Sequence, residues 1–284
     1  NRRNFIKKSA TGLAAAAVLS QFPLNLIGNP ASGKLKSFGF QVWTIKDKLI
    51  ADFAGTLKMM ANHGYREVEM CSPLGYSSSG FEPLNKLSGK AMKKIIEDAG
   101  LKCESSHYGM GELRDSLDNR IEWSQEMGIT QMVAASFWLP ENASIDDYRK
   151  AANELNTIAE KTKKAGIQMT FHNHHMEFEK RDDKLIYEAL LEELDPNFVK
   201  MQFQVAVISI GYQAADYFRK YPGRFISAHL ADWSTAEQKQ VPIGQGDVDW
   251  NDFFDAAKIG GVKNFFVEME PETFKESALY LKNL

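Results

Sequence analysis

Cysteine is nearly absent. Cys71 and Cys103 are the only two in 284 residues, which excludes a disulfide framework and a CxxC zinc site. Each lies inside an apolar, strand-like run and is expected to be buried packing. An excess of charge of either sign is also missing: 34 Lys and Arg against 37 Asp and Glu leave a net charge of -3, so no positive field is offered to nucleic acid. No apolar run is long enough to span a bilayer, and no G-x-G-x-x-G follows the first strand-like run, which weakens an open dinucleotide-binding sheet. Internal linkers, low-complexity tracts and charge blocks do not occur. What remains is an ordinary globular composition, 44% hydrophobic and 25% charged, in a chain long enough to bury one large core.

The first residues stand apart. Residues 1–8 read NRRNFIKK and are followed by the short Ala-rich run 11–19, with Pro23 close behind. A basic head and a short apolar segment read as an export signal, not a spanning helix. The stretch resembles a twin-arginine translocation signal, which implies export of the folded protein to the periplasm of a bacterium; a tail left in place is the alternative. Residues 1–35 are expected to be signal and linker, and 36–284 one folded domain.

From residue 36 onward strand-like and helix-like patterns alternate. The strand-like runs are 37–44, 66–71, 101–107, 130–137, 167–174, 199–207, 225–232 and 264–270. Helical spacing marks 50–64, 90–100 and 145–166, with apolar residues three and four apart. Gly64, Gly100 and Gly166 close these helices, and Asp249 reads as the N-cap of another. Eight strands alternating with helices in about 250 residues indicate a single (β/α)8 barrel of the α/β class.

In such a barrel, chemistry gathers at the C-terminal strand ends. The most telling end is residues 167–178, IQMTFHNHHMEF, which holds half of the six histidines. His172 and His174 are two apart, so a strand would turn both the same way. The other ends supply Trp43 and Lys46, Glu69, His107, Gln204, His229 with Asp232, then Glu268 with Glu270. Strand four ends instead in Phe137-Trp138, which suits stacking on a sugar ring. A carboxylate at Glu268, amid Phe265, Phe266 and Val267, needs a cation or proton partner. The IGQG loop at 243–246 is expected to be a turn before the Asp249 cap.

Taken in order, GFQVWT, GYREVEM, SSHYG, FHNHHMEF, YPGRF with HLAD, IGQG with VDW, and FFVEM resemble the xylose isomerase-like TIM barrels, sugar phosphate isomerases/epimerases, in their HNHxxEF subgroup. The resemblance covers residues 37–270. It implies a divalent metal held by one side chain from each of strands five to eight, here His172, Gln204, His229 and Glu268. Relatives commonly place a carboxylate where His172 stands and an Asp where Gln204 stands, so Glu268 is the sole anion of the set. Such a site favours Mn, Zn, Fe or Co over Mg; His174 and Glu177 are substitute ligands.

The implied reaction is proton removal next to a carbonyl, giving epimerisation or isomerisation of a sugar or sugar phosphate. Elimination of the aglycone from a 3-keto-glycoside is the alternative, as is an inactive carbohydrate-binding barrel. Glu268 and His107 are the expected catalytic residues. Trp43, Lys46, Glu69, Trp138, His174 and Asp232 are the expected substrate contacts. The partner is a small carbohydrate, with a homodimer allowed for and no nucleic acid.

Overall fold

The computed structural model describes Leu35 and residues 37–284; the expected export signal lies outside the described residues. Eight parallel strands close into a barrel. They are β1 (Gly39–Gln41), β2 (Glu67–Cys71), β3 (Lys102–Tyr108), β4 (Gln131–Ala135), β5 (Gln168–His172), β6 (Val199–Gln204), β7 (Phe225–Leu230) and β8 (Asn264–Val267). The helices are α1 (Lys46–Ala51), α2 (Phe53–His63), α3 (Gly89–Asp98), α4 (Met110–Asp115), α5 (Leu117–Met127), α6 (Ile145–Lys164), α7 (Ile186–Glu193), α8 (Ala214–Lys220), α9 (Trp250–Gly260) and α10 (Phe274–Leu281). No helix among the described residues is long and apolar enough to cross a membrane.

Each expected strand run forms a strand, but several stop short for local reasons. β4 ends at Ala135 because Ser136 turns to φ 73°. β6 ends at Gln204 because Val205–Ile210 winds into a 3-10 helix, whose start Gln204 caps by accepting from the Ala206 N–H at 3.2 Å. Gly64, Gly100 and Gly166 take φ of 114°, 84° and 80° at or just past the helix ends, as the sequence spacing anticipates. Asp249 caps α9 by accepting from the Asp252 N–H.

Alternation sorts each strand into two faces. Phe171 of β5, Phe203 of β6 and Leu230 of β7 are fully buried in the main hydrophobic core with side chains of the surrounding helices; Phe203 packs on Tyr217 and Phe218 of α8. The intervening residues line a polar barrel interior: Glu69, Ser105, Gln202, Ser227 and His229 are all inaccessible to solvent. Hydrogen bonds cross this interior between strands that are not neighbours. Gln131 of β4 donates to Asn264 of β8 at 2.8 Å, and Gln202 of β6 donates to Glu69 of β2 at 2.8 Å. Cys71 and Cys103 are buried free thiols.

Candidate active site

Glu69 is the hub. It projects from β2 into the barrel, and both of its oxygens are used. Oε1 accepts from Ser105 Oγ at 2.6 Å and from Gln202 Nε2 at 2.8 Å. Oε2 meets His107 Nε2 at 3.0 Å and bonds His229 Nε2. Burial alone would raise the Glu69 carboxyl, but the His107 and His229 imidazoles override it and hold it below the usual carboxylate range. Gln202 completes the layer, its Oε1 lying 2.9 Å from His107 Nε2 and its Nε2 donating also to Ser227 Oγ at 3.0 Å.

His229 sits above this layer between two carboxylates. Its Nε2 faces Glu69, and its Nδ1 lies 2.9 Å from Glu268 Oε2. Burial disfavours the imidazolium, yet Glu69 and Glu268 together push the His229 pKa up to about 10. Glu268 leaves the end of β8 at the mouth, where its side chain keeps 15% exposure. Its Oε2 also accepts from Gln204 Nε2 at 2.6 Å. Burial acts to raise this carboxyl, but the His229 charge outweighs it and the group stays ionised at neutral pH.

The imidazoles of His107, His172 and His229 pack together. His107 stacks on His229 with centroids 5.2 Å apart, and His172 lies 4.4 Å from His229. His174 approaches His172 to 4.8 Å and Trp138 to 5.2 Å. Burial, with the neighbouring histidines, holds His172 well below its ordinary value. Burial likewise brings His174 down to about 4 despite the pull of Glu268. Both are neutral at pH 7, and Nδ1 of each is buried without a hydrogen-bond partner.

The orphaned His172 nitrogen bears on a metal. One ring nitrogen from each of His107, His172 and His229 lies within 4.8 Å of the others, so these three buried histidines could hold a metal ion. Glu69 on His229 Nε2 would orient that imidazole for ligation through Nδ1, once Nδ1 lost the proton it shares with Glu268. Gln204, expected as a ligand, turns its amide N–H to Glu268 and its oxygen to the Ala206 N–H, so that it positions the carboxylate.

Asp232 is likewise engaged within the protein. Expected at the substrate, it is the anchor of the loop after β7. Its oxygens accept from the Trp233, Gly244, Gly246 and Val248 N–H groups and from Trp250 Nε1. The IGQG turn therefore wraps the protein's own carboxylate, and a Cβ on Gly246 would meet Asp232 Oδ1 at 2.2 Å. Trp43 and Lys46 form a separate pair at the β1 rim, with the ammonium 4.5 Å from the indole centroid. Trp43 also stacks on Phe81.

Gln202, Ser105, Ser227 and Glu112 are contributors that strand-end reasoning passes over. Gln202 was legible in principle, since it shares a face with Gln204 two residues on. Glu112 of α4 accepts from the Gly109 N–H at 2.9 Å and from Ser72 Oγ at 2.7 Å, tying the segments after β2 and β3 together. Burial pushes its carboxyl up to about 7, against the downward pull of Ser72 and Gly109. The folded state then holds this proton more tightly than the unfolded chain, whose value is near 4.5. Its contribution is greatest below that unfolded value and is lost as pH rises toward 7. Glu112→Gln, which needs no proton, is expected to recover about 2 kcal/mol at pH 8 relative to the parent. Urea midpoints across this range check it; an identical pH slope in parent and variant would remove Glu112 as a titrating group.

The sequence profile of the family described as "Xylose isomerase-like TIM barrel" matches residues 57–284. The chain belongs to that family. A sugar phosphate isomerase/epimerase from Parabacteroides distasonis is 25% identical, with 89% of this chain and 96% of that one covered and a TM-score of 0.73. A D-tagatose 3-epimerase-like protein is 15% identical over 87% of this chain and 96% of its own, with a TM-score of 0.64. The IOLI protein, solved with a binding zinc atom, is also 15% identical, over 87% and 94%, with a TM-score of 0.60. These last two show the shared fold alone. No curated protein matches the sequence.

Proposed function

We propose that this family member is a sugar isomerase or epimerase that removes a proton from the carbon next to a carbonyl, with Glu268 as the base. The observation that carries the reading is the setting of Glu268. It is an ionised carboxylate at the barrel mouth, held from behind by His229 and Gln204, with part of its surface open. A base so held needs no reorganisation to receive a proton. His229, charged by its two carboxylates, stabilises the developing anion. Neutral His174 and the Trp138 indole form the opposite rim, where a sugar hydroxyl and an apolar sugar face would rest. A divalent metal of the Mn, Zn, Fe or Co kind on the three histidines would require His229 to give up a proton and ligate as the neutral imidazole, and would then replace the imidazolium in polarising the carbonyl and stabilising the enediolate oxygen.

The direct test follows solvent deuterium into a panel of ketoses and aldoses by NMR. Incorporation at the carbon next to the carbonyl is the expected result; no incorporation with any sugar, metal-loaded or not, would sink the reading. Metal content tests the second part. Elemental mass spectrometry of the purified protein is expected to give about one equivalent, falling roughly tenfold or more in His172→Ala. Unchanged occupancy in that variant would move the metal elsewhere.

A second reading, elimination of the aglycone from a 3-keto-glycoside, uses the same first step. It is favoured by the exposed apolar side chains that follow β1, β2, β4 and β6, namely Trp43, Leu74, Trp138 and Ile210. They would offer an aglycone apolar surface beyond the reacting ring. Release of aglycone with no exchange in the recovered substrate would select it.

A further inference from the structure

Glu177 is fully buried and takes no part in the proton transfer set out above. Its Oε1 accepts from Ser136 Oγ at 2.6 Å, and its Oε2 accepts from the His174 backbone N–H at 2.7 Å. These partners belong to different segments. Ser136 begins the loop after β4 that presents Trp138, and His174 lies just beyond β5. The same stretch after β5 grips that loop twice more: Arg181 donates to the Glu141 carbonyl at 3.1 Å, and Asp182 Oδ2 accepts from the Ile145 N–H at 3.2 Å.

The loop held this way is strained. Ser136 and Trp138 have φ of 73° and 50°, a region that residues with side chains enter at a cost and keep only where their surroundings enforce it. The product of that strain is an indole left 60% exposed, yet set against the His174 ring. A tethered, strained backbone that holds an apolar ring out in water is stabilising something other than the core.

We propose that Glu177 is a positioning residue: it sets the Trp138–His174 wall, to which the reading above assigns the apolar face of the sugar. Glu177 binds the two halves of the wall through one carboxylate, so the spacing between indole and imidazole depends on it. The class of ligand rests on the carbohydrate reading above; the positioning role rests on the hydrogen bonds and the backbone.

The test uses the full chain and separates these two parts. Trp138 emission, taken as the difference between a protein and its Trp138→Phe counterpart, reports the indole with no ligand present. Glu177→Gln and Ser136→Gly are the variants; the glycine removes the hydroxyl while suiting the positive φ, so that folding is retained. Both are expected to shift the difference emission and to expose the indole to acrylamide. With D-glucose and D-fructose as probes, both are expected to weaken binding about tenfold, as loss of one buried hydrogen bond would. In the exchange assay KM should rise by that factor while kcat holds within about twofold. In a Trp138→Ala background Glu177→Gln should add less than about twofold, because the wall is already gone. Unchanged emission in both variants, or an equal loss in both backgrounds, would overturn the positioning role. Shifted emission with no sugar bound by the parent chain would overturn the carbohydrate subsite and retain the positioning role.

Discussion

Glu268→Gln is expected to lower deuterium exchange into the substrate by about a thousandfold, the scale of a lost general base. The amide matches the carboxylate in shape and can still accept from Gln204 Nε2, so the barrel should stay folded, with unchanged circular dichroism. It cannot take a proton from carbon at neutral pH. It also removes one of the two negative charges that flank His229. Metal content must be measured on the same preparation. A fall in exchange at constant metal assigns the loss to proton transfer; a parallel fall in both assigns Glu268 to ligation instead. Full exchange in Glu268→Gln would remove the proposed base outright.

Glu69→Ala is expected to be the most destabilising single substitution in the barrel interior, by about 4 kcal/mol. Four partners lose their acceptor at once: Ser105, Gln202, His107 and His229. None can turn to water, because the side chains around Glu69 are inaccessible, and a buried group left unpaired carries its full desolvation penalty. His229 would keep only one of its two carboxylates. The expected shift is a thermal midpoint lower by about 10 °C. Glu154→Ala is the control. That carboxylate pairs with Arg114 at 2.6 Å on the surface, and its removal should change stability by less than about 1 kcal/mol. Comparable losses from the two substitutions would mean that the interior network is not what holds the strands in place.

The barrel was legible in the chain because its signals are local. Apolar alternation over five or six residues makes a strand with two faces, and a glycine past a helical run ends the helix, whatever lies elsewhere. The same alternation placed His107, His172, His229 and Glu268 at strand ends, and a closed barrel can only bring such ends together. Spacing is silent where a side chain has two destinations. Asp232 stands three residues after His229 and looks like part of the site, yet the loop after β7 folds back over it and fills its oxygens. Gln204 stands where a ligand was expected, yet its oxygen is taken by the turn that ends β6.

The amino-acid sequence by itself therefore determined the strands, the helices, the closure of the sheet and the list of ionisable groups at one end of the barrel. It did so through periodicity and capping, which act over a few residues. Only the tertiary structure decided the pairing of those groups. His229 lies 160 residues from Glu69 and 39 from Glu268, and its charge exists, against the cost of burial, because both carboxylates meet it. Electrostatic partners in a buried site are chosen by distance in space, and distance along the chain carries almost no information about that.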